Sequence, residues 1–292
     1  MDFNSSSELI ALCDKGMSIT QVMIAREITM GETDSETVIK RMKKALNIMR
    51  ESAHIPLDKV LPSKGGLIGG EAEKLNRHLL SGKSICNGVL AKALIYSQAV
   101  PEVNASMGVI VAAPTAGSAG VVPAVLLALE EEFELREETL LDGLFAAGAV
   151  GYLLMKHASV SGAQAGCQAE VGSASAMAAA AAVIMMGGTP EQAFDAASIA
   201  LSNLLGLVCD PIAGLVEAPC QSRNAIGAAN AITSAEMALS GIKAVVPFEE
   251  MSAAMLRVGV KLPGELRETA LGGCAVTPTG CAHNCRIFGG NS

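Results

Sequence analysis

The chain reads as all-α: a compact multi-helix domain whose Gly/Pro-rich loops converge on one site. Three observations predict this. From about residue 85 onward, Ala-rich apolar runs of helical length alternate with Gly/Pro breaks; strand-like alternation of apolar and polar residues is scarce; and the N-terminal stretch carries two helix-start signatures. Alanine is the best helix former, and its small side chain lets helices pack closely, so such runs predict a core of tightly apposed helices.

Taken in order, Ser5 with Glu8 and Ser18 with Gln21 match the S/T-x-x-E/Q capping box and open two short amphipathic helices. Gly31 and Asp34 punctuate before a third, over about residues 35–52. It sets Val38, Met42, Ala45, Leu46 and Met49 on one face, opposite Lys40, Arg41, Lys43 and Lys44. The paired glycines of residues 63–70 mark a loop in which backbone can approach a ligand closely. Helices are then expected over 87–99, 121–133, 139–156, 173–187, 190–206, 221–240 and 249–258. Residues 1–60 form an N-terminal helical segment packed on the core, and residues 61–292 form the main domain. Neither an internal repeat nor a low-complexity linker interrupts it.

Composition narrows the function classes. A net charge of −8, from 29 acidic and 21 basic residues, provides no basic stripe for phosphates and argues against nucleic acid. Gly82-Lys83-Ser84 ends like a phosphate-binding P-loop, yet the glycine required five positions earlier is Arg77, so ATP is not supported. Mean hydropathy is +0.41, and residues 103–129 and 171–190 carry no charge. Prolines and glycines break the first run, and the second holds about a dozen strongly apolar residues where a span needs about 20, so both read as buried helices rather than membrane segments. The opening MDFNSSSELIALCDKG has no basic stretch followed by an apolar one, which points to a cytoplasmic protein with reduced thiols among its 8 cysteines.

Three of those cysteines stand apart. Cys167, Cys209 and Cys220 lie in GAQAGCQAEVG, LLGLVCDPIAG and VEAPCQSRN, each at a Gly or Pro break beside a helical run. There the backbone can turn thiolates toward a common point, as in a metal-cluster cradle, and a four-iron cluster held by three thiolates has one iron open to substrate or water. The spacings of 42 and 11 residues are not those of a compact C-x-x-C site, and buried free cysteines acting as small apolar residues fit the composition equally.

The segments at residues 104–126 (NASMGVIVAAPTAGSAGVVPAVL), 158–180 (ASVSGAQAGCQAEVGSASAMAAA) and 209–224 (CDPIAGLVEAPCQSRN) resemble the alpha chain of the iron-sulfur L-serine dehydratases, in the family's order and with its cysteine spacing. The resemblance extends over about residues 60–280. It implies an all-helical catalytic domain, an oxygen-sensitive 4Fe-4S cluster on Cys167, Cys209 and Cys220, and conversion of L-serine to pyruvate and ammonia without PLP. The chemistry is coherent: the serine hydroxyl is a poor leaving group and its α proton weakly acidic, tasks that a Lewis-acidic iron and a nearby base divide between them. The family's GPSSSHT-type histidine motif is absent here. Its absence implies a partner, a beta chain that carries that histidine in a hetero-oligomer.

Around the cysteines, the loop of residues 114–120 precedes a helix starting near Val121, so its N–H groups and the Thr115 and Ser118 hydroxyls are candidates to hold a substrate carboxylate; an ordinary turn and cap is the alternative. Lys64, Arg223 and Asn224 are candidates to balance anionic charge, although exposed surface charge is the commoner fate of such residues. His157, ten residues before Cys167, is a weak candidate base, and His54, His78 and His283 are weaker. Cys274, Cys281 and Cys285 form a second cysteine-rich group that either caps the open iron or is incidental, while Cys13 and Cys86 are incidental. Two other functions share these features: an aconitase-like hydro-lyase acting on a small hydroxy acid, and a non-enzymatic iron-sulfur sensor.

Overall fold

A computed structural model describes residues 2–289. Its helices are α1 (Ser6–Cys13), α2 (Ile19–Gly31), α3 (Ser35–Asp58), α4 (Glu71–Leu80), α5 (Gly88–Ala105), α6 (Val121–Phe133) and α7 (Glu137–His157). There follow α8 (Gly162–Ala165), α9 (Ser173–Met185), α10 (Pro190–Asn203), α11 (Cys220–Leu239), α12 (Phe248–Lys261) and α13 (Pro278–Phe288). Among the described residues the sole β feature is an isolated parallel bridge between Cys209 and Arg267. The all-α expectation holds.

The centre is α9, whose every residue except Ile184 is buried. It packs against α6, α7, α10 and α11, and α5 closes over α6 and α11 from outside. Small residues make this approach possible: a Cβ added at Gly143 of α7 would lie 2.7 Å from Met185 Cγ of α9. Phe3, Leu9, Val22 and Leu46 from the first three helices belong to the same apolar cluster as Leu126, Phe145 and Ala179. Among the described residues two stretches are long and apolar enough to cross a membrane, Glu137–His157 and Gln168–Met185, and their most apolar windows are 67% and 89% buried inside the protein. Both are core segments.

Several boundaries differ from the sequence expectation. The Ser18 box closes in both directions, whereas at Ser5 the Glu8 carboxylate takes the Asn4 N–H instead, leaving half a box. α3 continues past Ser52 through Pro56 to Asp58, because Ala53 and Pro56 are buried and their packing outweighs one lost hydrogen bond in the last turn. α5 likewise runs through Pro101 to Ala105, which brings fully buried Glu102 under the start of α4. Its carboxylate accepts from Gly70 N at 3.0 Å and Ala72 N at 2.9 Å, capping a helix that has no side-chain cap of its own.

Candidate metal centre

The site is built from three loops that meet beside α9 and α11. Cys167 follows α8 through Gly166, whose φ of +77° lies in the left-handed region; a Cβ there would sit 2.8 Å from Leu207 O. After Cys167 the chain forms a π turn over Gln168–Gly172, a rare arrangement found most often at functional sites. Gln168, 1% exposed, stitches this turn down: its side chain donates to Met255 O and accepts from Gly206 N, and its backbone N–H donates to Leu207 O. Cys209 is held by the bridge to the 266–268 segment, donating to Leu266 O at 2.9 Å and accepting from Glu268 N at 2.7 Å. Cys220 is the buried first residue of α11.

This framework brings the Cys167 and Cys209 sulfurs and a Glu170 carboxylate oxygen within 4.8 Å of one another. Both thiols donate to Glu170 Oε2, at 3.9 and 3.8 Å, and the Thr115 hydroxyl donates to Oε1 at 2.8 Å. Gly162 leaves the space open: a Cβ would lie 2.5 Å from Glu170 Oε2 and 3.0 Å from Cys209 Sγ. Burial pushes the Cys220 thiol up to about 12, with Cys167 and Glu170 adding to the effect. The neighbouring Cys167 thiol and burial raise Cys209, and burial raises Glu170 against the pull of Thr115. These acids resist ionising together because little positive charge reaches them. Arg223 supplies one cation, with Nη1 3.6 Å from Cys167 Sγ, but its Nη2 lies 2.7 Å from Asp210 Oδ1, so that charge is shared. The Asp210 oxygen has no aligned hydrogen bond, so the contact is an ion pair only. A buried set of thiols and a carboxylate short of positive charge fits a thiophilic metal or an iron-sulfur cluster.

Each residue singled out in the sequence has a place. Thr115 Oγ1 lies 3.1 Å from Ser118 Oγ as well as on Glu170, so the 114–120 loop touches the site. Fully buried Asn224 donates to Gly117 O and Cys220 O and accepts from Gly120 N, a staple between that loop and α11. Lys64 is exposed, and its loop is fixed by the backbone bond to Ala105 O. The Cys274 N–H donates to Asp210 Oδ2 at 2.7 Å, while Cys281 and Cys285 are exposed on α13. Residues 290–292 of that tail lie outside the described residues. His157 is exposed and bonded to Asn4 O at 2.6 Å.

Sequence reasoning missed Glu170, Asp210 and Glu217. Glu170 had a signal: it is the sole charged residue between His157 and Glu191, one helical turn after Cys167. Glu217 had none, since its role is long-range; it accepts from Ser63 Oγ, Gly65 N and Leu67 N and so shapes the glycine loop. A cavity of about 640 Å³ lies elsewhere, between α2, α3 and α7, and reaches only Ala112, Ala113 and Pro114 ahead of Thr115.

An all-helical core that gathers thiols and a carboxylate at one buried point defines a candidate metal-dependent protein. The family model described as serine dehydratase alpha chain matches residues 14–275, and the chain belongs to that family, whose members are lyases. It is 48% identical over 289 residues to the probable L-serine dehydratase, alpha chain, of Bacillus subtilis, covering 99% of this chain and 96% of the relative. It is 46% identical to the L-serine dehydratase, alpha chain, of Peptoniphilus asaccharolyticus, over 95% of each. Against L-serine dehydratase TdcG of Escherichia coli the identity is 36%, over 94% of this chain but 62% of the relative.

Proposed function

We propose that this chain is the catalytic alpha subunit of an L-serine dehydratase, deaminating L-serine to pyruvate and ammonia with a 4Fe-4S cluster on Cys167, Cys209 and Cys220 and without PLP. The observation that carries the reading is the meeting of Cys167, Cys209 and Glu170 at one point in a member of this family. When bound, the cluster supplies a Lewis-acidic iron that carries no protein sulfur.

The chain's own residues prepare the site. Asn224 holds the 114–120 loop against the start of α11, so its amides form a preset cradle for the substrate carboxylate, which the Thr115 and Ser118 hydroxyls join on releasing Glu170 and each other. Arg223 offsets thiolate charge beside Cys167. Glu217 holds the loop from which Lys64 projects, and Lys64 adds positive charge for an anionic substrate. The protein works in the cytoplasm, where thiols stay reduced.

A second chain completes the activity. Relatives named alpha chain match this one nearly end to end, whereas in those named L-serine dehydratase alone more than a third of the length lies outside the match. That surplus corresponds to a companion beta chain carrying the histidine missing here. Co-expression with the companion and purification without oxygen, followed by iron, sulfide and pyruvate assays with no PLP added, tests the proposal. About four irons per chain with pyruvate release is the expected result; four irons without turnover of serine removes the substrate, and no iron removes the cluster.

A further inference from the structure

Between α5 and the 114–120 loop the chain runs through Val109, Ile110, Val111 and Ala112 without helix, turn or bend. Every element it borders is helical, so no neighbouring strand pairs with it: none of these four N–H or C=O groups has a hydrogen-bond partner among the described residues. Val109 is 72% exposed and the preceding Met107 76% exposed, while Ile110 and Val111 rest partly on the core. An apolar, β-branched stretch with a bare backbone is the edge that folded proteins ordinarily cover. Beside it opens the cavity of about 640 Å³, which has Ala112 and Ala113 in one wall and Met23, Met42, Phe145 and Met177 among the others.

We infer that residues 109–112 are a strand-addition site for the companion chain, which lays an extended segment along this backbone and sets an apolar side chain into the adjoining cavity. Bare backbone groups select an extended strand over a helix or a small molecule, because only a strand supplies donors and acceptors at matching intervals. The apolar cavity then selects a side chain on alternate positions of that strand. The occupant is the companion because this edge leads directly into Pro114 and Thr115, so a strand bound there abuts the loop whose hydroxyl contacts Glu170. The longer relatives carry in one polypeptide the additional sequence that such a segment requires.

The inference rests on the companion-chain reading, and the test separates the two. Amide hydrogen exchange is followed by mass spectrometry on the chain alone and on the co-expressed complex. Peptides covering 107–114 are expected to exchange at least about tenfold more slowly in the complex. Ile110→Pro and Val111→Pro each delete one donor, and adjacent N–H groups of a strand point to opposite sides. One of the two variants is therefore expected to weaken association at least about tenfold and the other much less, with the circular dichroism of each free chain unchanged. A complex whose 109–112 amides remain unprotected overturns the strand site and leaves the companion reading standing. Failure to form any complex overturns both. Protection that instead appears on self-association of the free chain assigns the edge to a second copy and overturns the companion assignment.

Discussion

Asn224 shows how a single side chain joins the parts of this site. Its carboxamide, 0% exposed, satisfies Gly120 N, Gly117 O and Cys220 O; Asn224→Ala strands the two loop groups, while Cys220 O keeps the helical N–H of residue 224. Each such group costs about 1–3 kcal/mol, and with partial relaxation we expect a loss of about 2–4 kcal/mol, read by urea unfolding. A loss below 1 kcal/mol would mean that the loop finds other partners. Substituting Cys167, Cys209 or Cys220 by Ala is expected in each case to abolish the brown cluster absorbance and serine turnover, because no other buried thiol lies among the described residues to replace one. Cys13→Ala and Cys86→Ala are expected to leave both intact; survival of absorbance and turnover in any of the first three removes that cysteine from the ligand set. Cys167 and Cys209 stood out because thiols at Gly and Pro breaks form a local pattern, and their sulfurs do lie together. Asp210 and Glu217 did not, because what each does depends on a partner more than sixty residues away in the chain, Cys274 in one case and the Gly65 loop in the other.

Helix pairs carry two further tests. On α7, an added Cβ at Gly143 would meet Met185 Cγ at 2.7 Å and Sδ at 2.8 Å, whereas at Gly148 the nearest atom is Met23 Cε at 3.7 Å. Alanine is favoured over glycine in a helix by about 1 kcal/mol, and overpacking costs about 1–3 kcal/mol. Gly148→Ala should therefore raise the melting temperature and Gly143→Ala lower it; shifts of the same sign would sink the packing account of the α7–α9 contact. Elsewhere His54 of α3 and Tyr96 and Lys92 of α5 converge on Glu131 of α6. The His54 hydrogen bond, with Tyr96 and Lys92, holds the Glu131 carboxyl down to about 2, while His54 itself is raised chiefly by Glu131. A depressed carboxyl contributes stability above its unfolded value, near 4.5, and loses it as pH falls toward 2. A raised histidine contributes fully below 6.5 and loses its contribution as pH rises through its folded value. The pair thus acts mainly between pH 4.5 and 6.5. Both side chains are more than a third open to solvent or close to it, so the contribution is only about 0.5–1 kcal/mol. Comparing His54→Ala with the parent by urea unfolding should give a difference that is largest near pH 5–6 and shrinks by pH 8.5; an equal difference at both ends would show that charge plays no part. The Ala-rich core helices were legible here, since alanine runs declare their own length, whereas α4, α8 and α13 fell outside every expected range. The ends that ran on, through Pro56 and Pro101, were not legible, because burial overrode a local breaker.

At the scale of the whole molecule, the all-α class was legible from composition and breaks, and the meeting of Cys167 with Cys209 was expected from their Gly and Pro breaks and the family resemblance, but how the fold achieves that meeting was not legible. It depends on a π turn, a β-bridge and the Gln168 stitches, none of which has a local sequence signal. Every one of those supports lies within this chain: Cys209 hangs on residues 266–268, the Cys167 turn on residues 206–207 and Met255, and α11 on the loop that Asn224 staples. The candidate ligands are thus held in place by intramolecular contacts, and loading of iron should not need a partner. Completion of the chemistry should, since this sequence lacks the histidine motif and its four histidines include none bonded to a site residue among the described contacts. The chain expressed alone without oxygen is therefore expected to hold about four irons and four sulfides yet release pyruvate at under about 1% of the rate reached on adding the companion chain, a gap within the range that a missing acid-base group produces. Full turnover by the isolated chain would place the base within it and remove the need for a second subunit, and iron uptake only in the complex would mean that the cradle is finished by the partner rather than by the fold of this chain.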